Sequence, residues 1–205
     1  MTTFKLTYFD FDGGRAEPVR IAFHAAGIEF EDERLSFQEF GEMRHRTRFN
    51  GVPVLQIDGV AVTQTNAMCR YVGRMAGLYP EEDRQALHCD EVMSVVEDNS
   101  HQVLATFGLE GDELKVAREN LVDGWLKIYL RGLDELLTRG GGQYFAANRL
   151  TMADLKTFVS TRTIRAGTLD HVPTNLVQQV APALADHLER IEGEAIVEEY
   201  YASRA

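Results

Sequence analysis

The sequence predicts an α/β N-terminal domain over residues 1–79, a connector over 80–86 and an all-α C-terminal domain over 87–205. Three observations carry this division. The first eighty residues give the order β-α-β followed by β-β-α, which fits a small mixed sheet with helices packed on it. The polar stretch Leu78-Tyr79-Pro80-Glu81-Glu82-Asp83 breaks the pattern. From about Arg84 onward the apolar period is helical throughout.

In order, Phe4 to Phe9 alternates and is rich in β-formers, a first strand. Asp12-Gly13-Gly14 breaks it as a loop. Ala16 to Ala26 has apolar residues at Val19, Ile21, Ala22, Phe23 and Ala26. Pro18 suits the first helical turn and Gly27 the C-terminal cap. Ile28 to Leu35 is a second strand, polar enough for a sheet edge, and Ser36 to Phe49 is irregular or weakly helical. Val52 to Ile57, the turn pair Asp58-Gly59 and Val60 to Val62 form a hairpin. A helix over Thr63 to Ala76 ends at Gly77. Beyond the connector, Arg84 to Phe107 and Asp112 to Thr138 are two long helices, the second stopped by Gly140-Gly141-Gly142. Thr151-Met152-Ala153-Asp154 opens another helix, with Asp154 reaching back to Thr151. Pro182 to Ile191 is a further one.

Composition removes several function classes. A net charge of −11 argues against a nucleic-acid binder. Its local exception, Arg44-His45-Arg46-Thr47-Arg48, reads first as a solvated basic turn, the alternative being that one of its arginines pairs with a small anionic ligand. Cys69 and Cys89 have neither CxxC nor metal-ligand spacing and sit in helical patterns, so buried free thiols are expected. The six histidines form no metal-binding pair, so no metal site is expected. No apolar run is long enough for a bilayer. Met1 to Tyr8 has no basic region followed by an apolar stretch, so no signal peptide, no membrane association and a cytoplasmic location are expected.

Taken singly, the polar landmarks are ordinary. A tyrosine ending a strand is usually a packed aromatic, Val52-Pro53 marks a strand boundary, and Gln64-Thr65 is a helix cap. Their order is specific. Tyr8-Phe9, Gly14-Arg15-Ala16-Glu17 with Arg20, Glu31-Asp32-Glu33-Arg34, Ser36-Phe37-Gln38, Val52-Pro53-Val54-Leu55, Asp58-Gly59, Gln64-Thr65 and Arg70-Tyr71 together resemble the glutathione-binding domain of sigma-class glutathione S-transferases. Leu150-Thr151-Met152-Ala153-Asp154-Leu155 resembles the buried capping motif of that family's helical domain. The similarity spans nearly the whole chain and implies a thioredoxin-like fold for the N-terminal domain.

The resemblance implies an enzyme that conjugates glutathione to small hydrophobic electrophiles, with glutathione peroxidase activity as an allied capacity. Glutathione is then a co-substrate, and no cofactor is needed. A free thiol of pKa about 8.5 is only a few per cent thiolate at neutral pH. Lowering that value by about two units takes about 2.7 kcal/mol, much of which one charge-assisted hydrogen bond of roughly 1.5–3 kcal/mol can supply. Tyr8 is the implied donor, as a neutral phenol.

For the rest of the peptide, the resemblance implies that Pro53 is cis and that the Val52 backbone pairs with the cysteinyl residue as an added strand would. Thr65 and Gln64 take the γ-glutamyl end at a helix N-terminus. Arg44 meets the glycine carboxylate, and Arg15 lies at the edge of the active site, its alternative being a salt bridge to Glu17 or Asp98. Asp98 matches the acidic residue that reaches the γ-glutamyl ammonium of the partner subunit's ligand, which implies a homodimer with composite sites. The sequence departs from the class at four places. Phe40 stands where a tryptophan is usual and has no donor, Gly51 replaces a side-chain-bearing residue, Thr65 replaces serine, and the Asp12-Gly13-Gly14 loop is one residue longer. The implied electrophile pocket is lined by Phe11, Gly14, Leu104 and Phe107, which are equally ordinary core candidates. A competing reading is a non-catalytic ligand-binding or structural protein on the same fold. A cysteine-based thiol transferase would need a cysteine near the first helix, and Phe9 to Ala16 has none.

Overall fold

The structure, a computed structural model, describes residues 2–204, so the outermost residue of each sequence-predicted domain lies outside the described residues. The sheet comprises β1 (Phe4–Phe9), β2 (Glu31–Leu35), β3 (Val54–Ile57) and β4 (Val60–Val62), in the order β2-β1-β3-β4. β1 runs parallel to β2 and antiparallel to β3, and β3 pairs antiparallel with β4. β1 is therefore interior, and Leu6, Thr7 and Tyr8 are all buried, as a strand covered on both faces requires. β2 is an edge, which explains its polar sequence.

The crossover between β1 and β2 carries α1 (Glu17–Ala25), and α3 (Thr65–Met75) follows the hairpin. Both pack on the same helical neighbour, so the apolar faces of Val19, Phe23, Met68 and Val72 meet one continuous core. In the hairpin, Asp58 and Gly59 both take positive φ, 50° and 81°, the geometry a two-residue turn needs to follow the twist of its strands.

The helical part comprises α4 (Asp83–Leu104), α5 (Gly111–Leu121), α6 (Lys127–Arg139), α7 (Met152–Arg165), α8 (Leu176–Val180), α9 (Pro182–Glu192) and α10 (Ala195–Ala202). α7 is the hub. Ten of its fourteen residues are buried, and it packs on α1, α3, α4 and α9. Its start is fixed by Asp154, whose carboxylate accepts from the Thr151 amide (2.8 Å), the Thr151 hydroxyl (2.7 Å), the Phe145 amide (3.0 Å) and the His187 ring (3.0 Å). The expected cap therefore also anchors the preceding loop and α9.

Several elements differ from the sequence reading. α4 begins at Asp83, inside the segment read as a connector, where Glu82 caps the Arg84 and Gln85 amides. Residues 37–43 form a regular helix, α2 (Phe37–Met43), because Ser36 and Glu39 make a reciprocal capping box. The single helix expected over 112–138 is α5 and α6 joined by a π-helical turn, Val122–Leu126. That turn adds one residue to the winding. It brings the Leu121-Val122 pair and the Leu126, Leu130, Leu133, Leu137 stripe to the core together. α8 and α10 are additional. Through α10, the Tyr200 hydroxyl donates to the buried Glu17 at 3.2 Å.

Candidate functional site

Tyr8 sits at the C-terminal end of β1, buried, with its ring against Phe9 and Phe11 at centroid distances of 5.2 and 5.7 Å. Its hydroxyl accepts the backbone N–H of Arg15 at 3.2 Å. That contact exists because the chain folds back over the ring through Gly13 and Gly14, with φ of +117° and +67°. A Cβ on Gly14 would lie 2.7 Å from the Tyr8 oxygen and 3.0 Å from Phe11 Cε2, so the close approach needs glycine.

A fully buried ion pair holds this turn from beneath. Arg20 on α1 binds Glu17 at 3.2 Å and Asp32 on β2 at 3.0 Å. Its guanidinium also donates to the carbonyls of Phe11 (3.3 Å) and Phe9 (3.5 Å), on either side of the bend after β1. Sequence reading named Arg20 without a role, because a charge inside a helical pattern usually points to solvent.

Arg15 reaches across to the neighbouring segment and donates to the Val52 carbonyl at 2.8 Å. The Val52–Pro53 bond is cis, and both residues are buried beside Gly51, which is extended at φ −143°. The other face of the Arg15 guanidinium meets Glu97 on α4 at 3.6 Å. This corrects the expectation for the arginine's salt-bridge alternative. Its partner is neither Glu17, which is taken by Arg20, nor Asp98, whose side chain is exposed on the next position of α4.

Glu97 in turn pairs with Lys156 of α7 at 2.8 Å, and Lys156 also bonds the side chain of Asn66 in the first turn of α3. Burial alone would raise the Glu97 carboxyl. Lys156 first, then Arg15, outweigh it and hold the group below the usual carboxylate range. The N-terminus of α3 presents Thr65, buried, directly after Gln64, which is exposed and at φ 76°. Lys156 and Asn66 were not anticipated, since a lysine in a helical run ordinarily extends into water.

The remaining expected residues form a second group. Phe40 on α2 packs edge-on against Phe9 at 5.2 Å, and Arg44, in a short 3-10 turn after α2, lies over the Phe40 ring at 5.7 Å. The exposed guanidinium of Arg44 is thus held by a ring that cannot itself donate. Phe11 is partly exposed beside Tyr8 and Gly14. Leu104, the last residue of α4, and Phe107, in the turn after it, are also exposed, and among the described residues the Phe107 ring does not join the aromatic contacts around Tyr8. Arg118 lies over Phe107 instead, at 5.5 Å.

Neither cysteine is available for chemistry. Burial pushes the Cys69 thiol up to about 12 and Cys89 up to about 11, so both stay protonated. Among the described residues no group of side chains could hold a metal ion, and no helix is long and apolar enough to cross a membrane.

The arrangement is a buried phenol with one hydrogen bond received, next to a cis-proline segment and a helix N-terminus. Sequence comparison gives the same frame. A sequence model of the glutathione S-transferase N-terminal domain matches residues 4–74, and one of the glutathione S-transferase C-terminal domain matches residues 97–204. Glutathione S-transferase 3 of Caenorhabditis elegans is 36% identical over 160 residues, covering 76% of this chain and 77% of that one. Hematopoietic prostaglandin D synthase of Gallus gallus is 29% identical over 195 residues, covering 93% of this chain and 92% of that one. Among solved structures, the sigma class glutathione S-transferase of Fasciola hepatica superposes with a TM-score of 0.84 at 26% identity, covering 100% of this chain and 97% of that one. Four-stranded mixed sheet, helical domain and both family matches agree: the chain belongs to the glutathione S-transferase family.

Proposed function

We propose that this protein conjugates glutathione to small hydrophobic electrophiles, with Tyr8 donating a hydrogen bond to the thiolate sulfur. The observation that carries this reading is the state of the Tyr8 hydroxyl. It already accepts the Arg15 N–H, so its single proton is left for another acceptor. Accepting one hydrogen bond also strengthens the bond it gives.

In the proposed reaction the thiol proton leaves to solvent, and the thiolate stays beside the neutral phenol. Sulfur then attacks the electrophilic carbon, forming the S–C bond as the leaving group departs with its electron pair. No covalent bond to the protein forms, and Tyr8 keeps its proton throughout. The Val52 backbone pairs with the cysteinyl unit of the peptide. Its carbonyl retains one lone pair beside the bond from Arg15. Thr65 and Gln64 receive the γ-glutamyl end. Arg44 receives the glycine carboxylate alone, because Phe40 offers no donor there. Phe11 and Gly14 form one wall of the electrophile pocket, and the exposed Leu104 and Phe107 the other.

We assign the protein to a sigma-like group acting as a homodimer in the cytoplasm. The exposed Asp98 supports the dimer, because it is free to reach a partner's site while its neighbour Glu97 is committed within the chain. Steady-state conjugation of a generic aryl halide tests the central assignment. Tyr8→Phe is expected to lower kcat at neutral pH by roughly ten- to a hundred-fold, the loss of one charge-assisted hydrogen bond, while glutathione affinity stays near wild type. Unchanged kcat would remove Tyr8 from the mechanism.

A further inference from the structure

A lysine buried at the hub of a helical domain is expensive unless it is paired. Lys156 is 3% exposed, on a helix that packs against both α3 and α4. An apolar side chain would pack there at no electrostatic cost, and a leucine, a phenylalanine and a valine of the same helix are all buried. Lys156 instead places its ammonium where three elements meet. On one side it holds Glu97 of α4, and Glu97 holds the Arg15 guanidinium. On the other it holds Asn66, the residue after Thr65 in the first turn of α3.

From Arg15 the connection reaches the proposed reaction centre in one step, twice. Its backbone N–H is bonded to the Tyr8 hydroxyl, and its side chain to the Val52 carbonyl. We infer that Lys156 is a positioning residue for the thiol-activating site, a single buried cation that fixes Arg15 through Glu97 and the γ-glutamyl end through Asn66. It touches no substrate itself. This rests on the assignment of Tyr8 and Arg15 to glutathione given above, and adds a requirement that the helical domain supplies.

The charges dictate how the site responds when the link is cut. Without the ammonium, Glu97 is a carboxylate with little access to water and Arg15 at 3.6 Å as its remaining ion pair. It draws the guanidinium off Val52 and tugs the Arg15 peptide from the Tyr8 oxygen. The loss also leaves the site with one positive charge fewer near the sulfur. Each effect disfavours thiolate. Removing the carboxylate instead leaves Lys156 and Arg15 as two cations without the acid they share, with His101 the other titratable group that faces Glu97, and favours thiolate. Removing both charges together keeps the net charge of the wild-type site.

The test is titration of the thiol of bound glutathione, by the ultraviolet absorbance of its thiolate, in the full-length protein. Lys156→Met is expected to raise the bound thiol's pKa by about one unit, with a roughly threefold loss of kcat at pH 7 as the thiolate fraction falls. Glu97→Gln is expected to lower the pKa, and Lys156→Met/Glu97→Gln to return it to the wild-type value. Lys156→Arg, which keeps the charge, is expected to stay near wild type. If Lys156→Met does not fold, the downward shift in Glu97→Gln still decides. A wild-type protein that lowers the thiol pKa, with Lys156→Met and Glu97→Gln both keeping that same value, overturns the inference even if they melt earlier. A wild-type protein that leaves the thiol pKa at its free value overturns the assignment of Tyr8 instead.

Discussion

Gly14 is the residue on which the Tyr8 geometry is most exposed to a one-atom change. Gly14→Ala adds a methyl group 2.7 Å from the Tyr8 oxygen and 3.0 Å from both Phe11 Cε2 and Tyr8 Cε1, where ordinary contact begins at 3.4 Å. The phenol cannot rotate away freely, since Phe9 and Phe11 pack against it edge-on. The hydroxyl must therefore retreat by about 0.7 Å, or the loop must lift off it by as much. The backbone itself, at φ +67°, costs a non-glycine residue about 1–2 kcal/mol. Overpacking adds about 1–3 kcal/mol, for a total loss of stability of about 2–5 kcal/mol. The shift also spoils the bond from the Arg15 N–H and the donor line toward sulfur. Losing half of a bond worth roughly 1.5–3 kcal/mol raises the bound thiol's pKa by about one unit and lowers kcat at pH 7 about threefold. Denaturant unfolding measures the first effect, and thiolate absorbance with aryl halide turnover the second. A Gly14→Ala protein that loses stability yet keeps the wild-type thiol pKa and kcat would refute the claim that this approach positions the donor.

Asp98→Ala is expected to weaken glutathione binding several-fold if the proposed dimer forms the composite site, the cost of one partly exposed ion pair of about 1 kcal/mol. Isothermal titration alongside sedimentation checks it, and equal affinity in a monomer would count against a composite site. Asp154→Ala removes a fully buried carboxylate on which four donors converge. A loss of about 3–5 kcal/mol is expected in denaturant unfolding, since each stranded donor costs about 1–3 kcal/mol and partial relaxation offsets some of it.

The N-terminal sheet and the α7 cap were legible because their signals are local. Asp58-Gly59 between two β-rich runs needs no long-range information, nor does Asp154 three residues after Thr151. The apolar pattern carries the second strand three residues too far, because Ile28 and Phe30 continue it while lying outside the ladder against Phe23. The π turn between α5 and α6 was invisible, since one extra residue of winding changes phase without leaving a breaker other than Gly124. α8 is five residues long and α10 eight, too short for a period to declare itself.

At the site, the residues on one local motif came out together. Tyr8, Gly14 and Arg15 share a turn, and Val52 and Pro53 share a strand entry. What sequence could not rank was Glu97 against Asp98. Adjacent positions on a helix point about 100° apart, and only the approach of α7 and the Arg15 loop decides which carboxylate faces inward. Lys156 was hidden for the same reason. Its pattern is that of any helical lysine, and its burial exists only once α3, α4 and α7 converge.

The proposed chemistry reduces to one quantity, the pKa of the glutathione thiol while bound. Titration of that thiol in the wild-type protein and in Tyr8→Phe is predicted to give a value about two units below the free value of about 8.5 in the first, and a return most of the way toward it in the second. Equal values in the two proteins would contradict the account, whatever the turnover numbers.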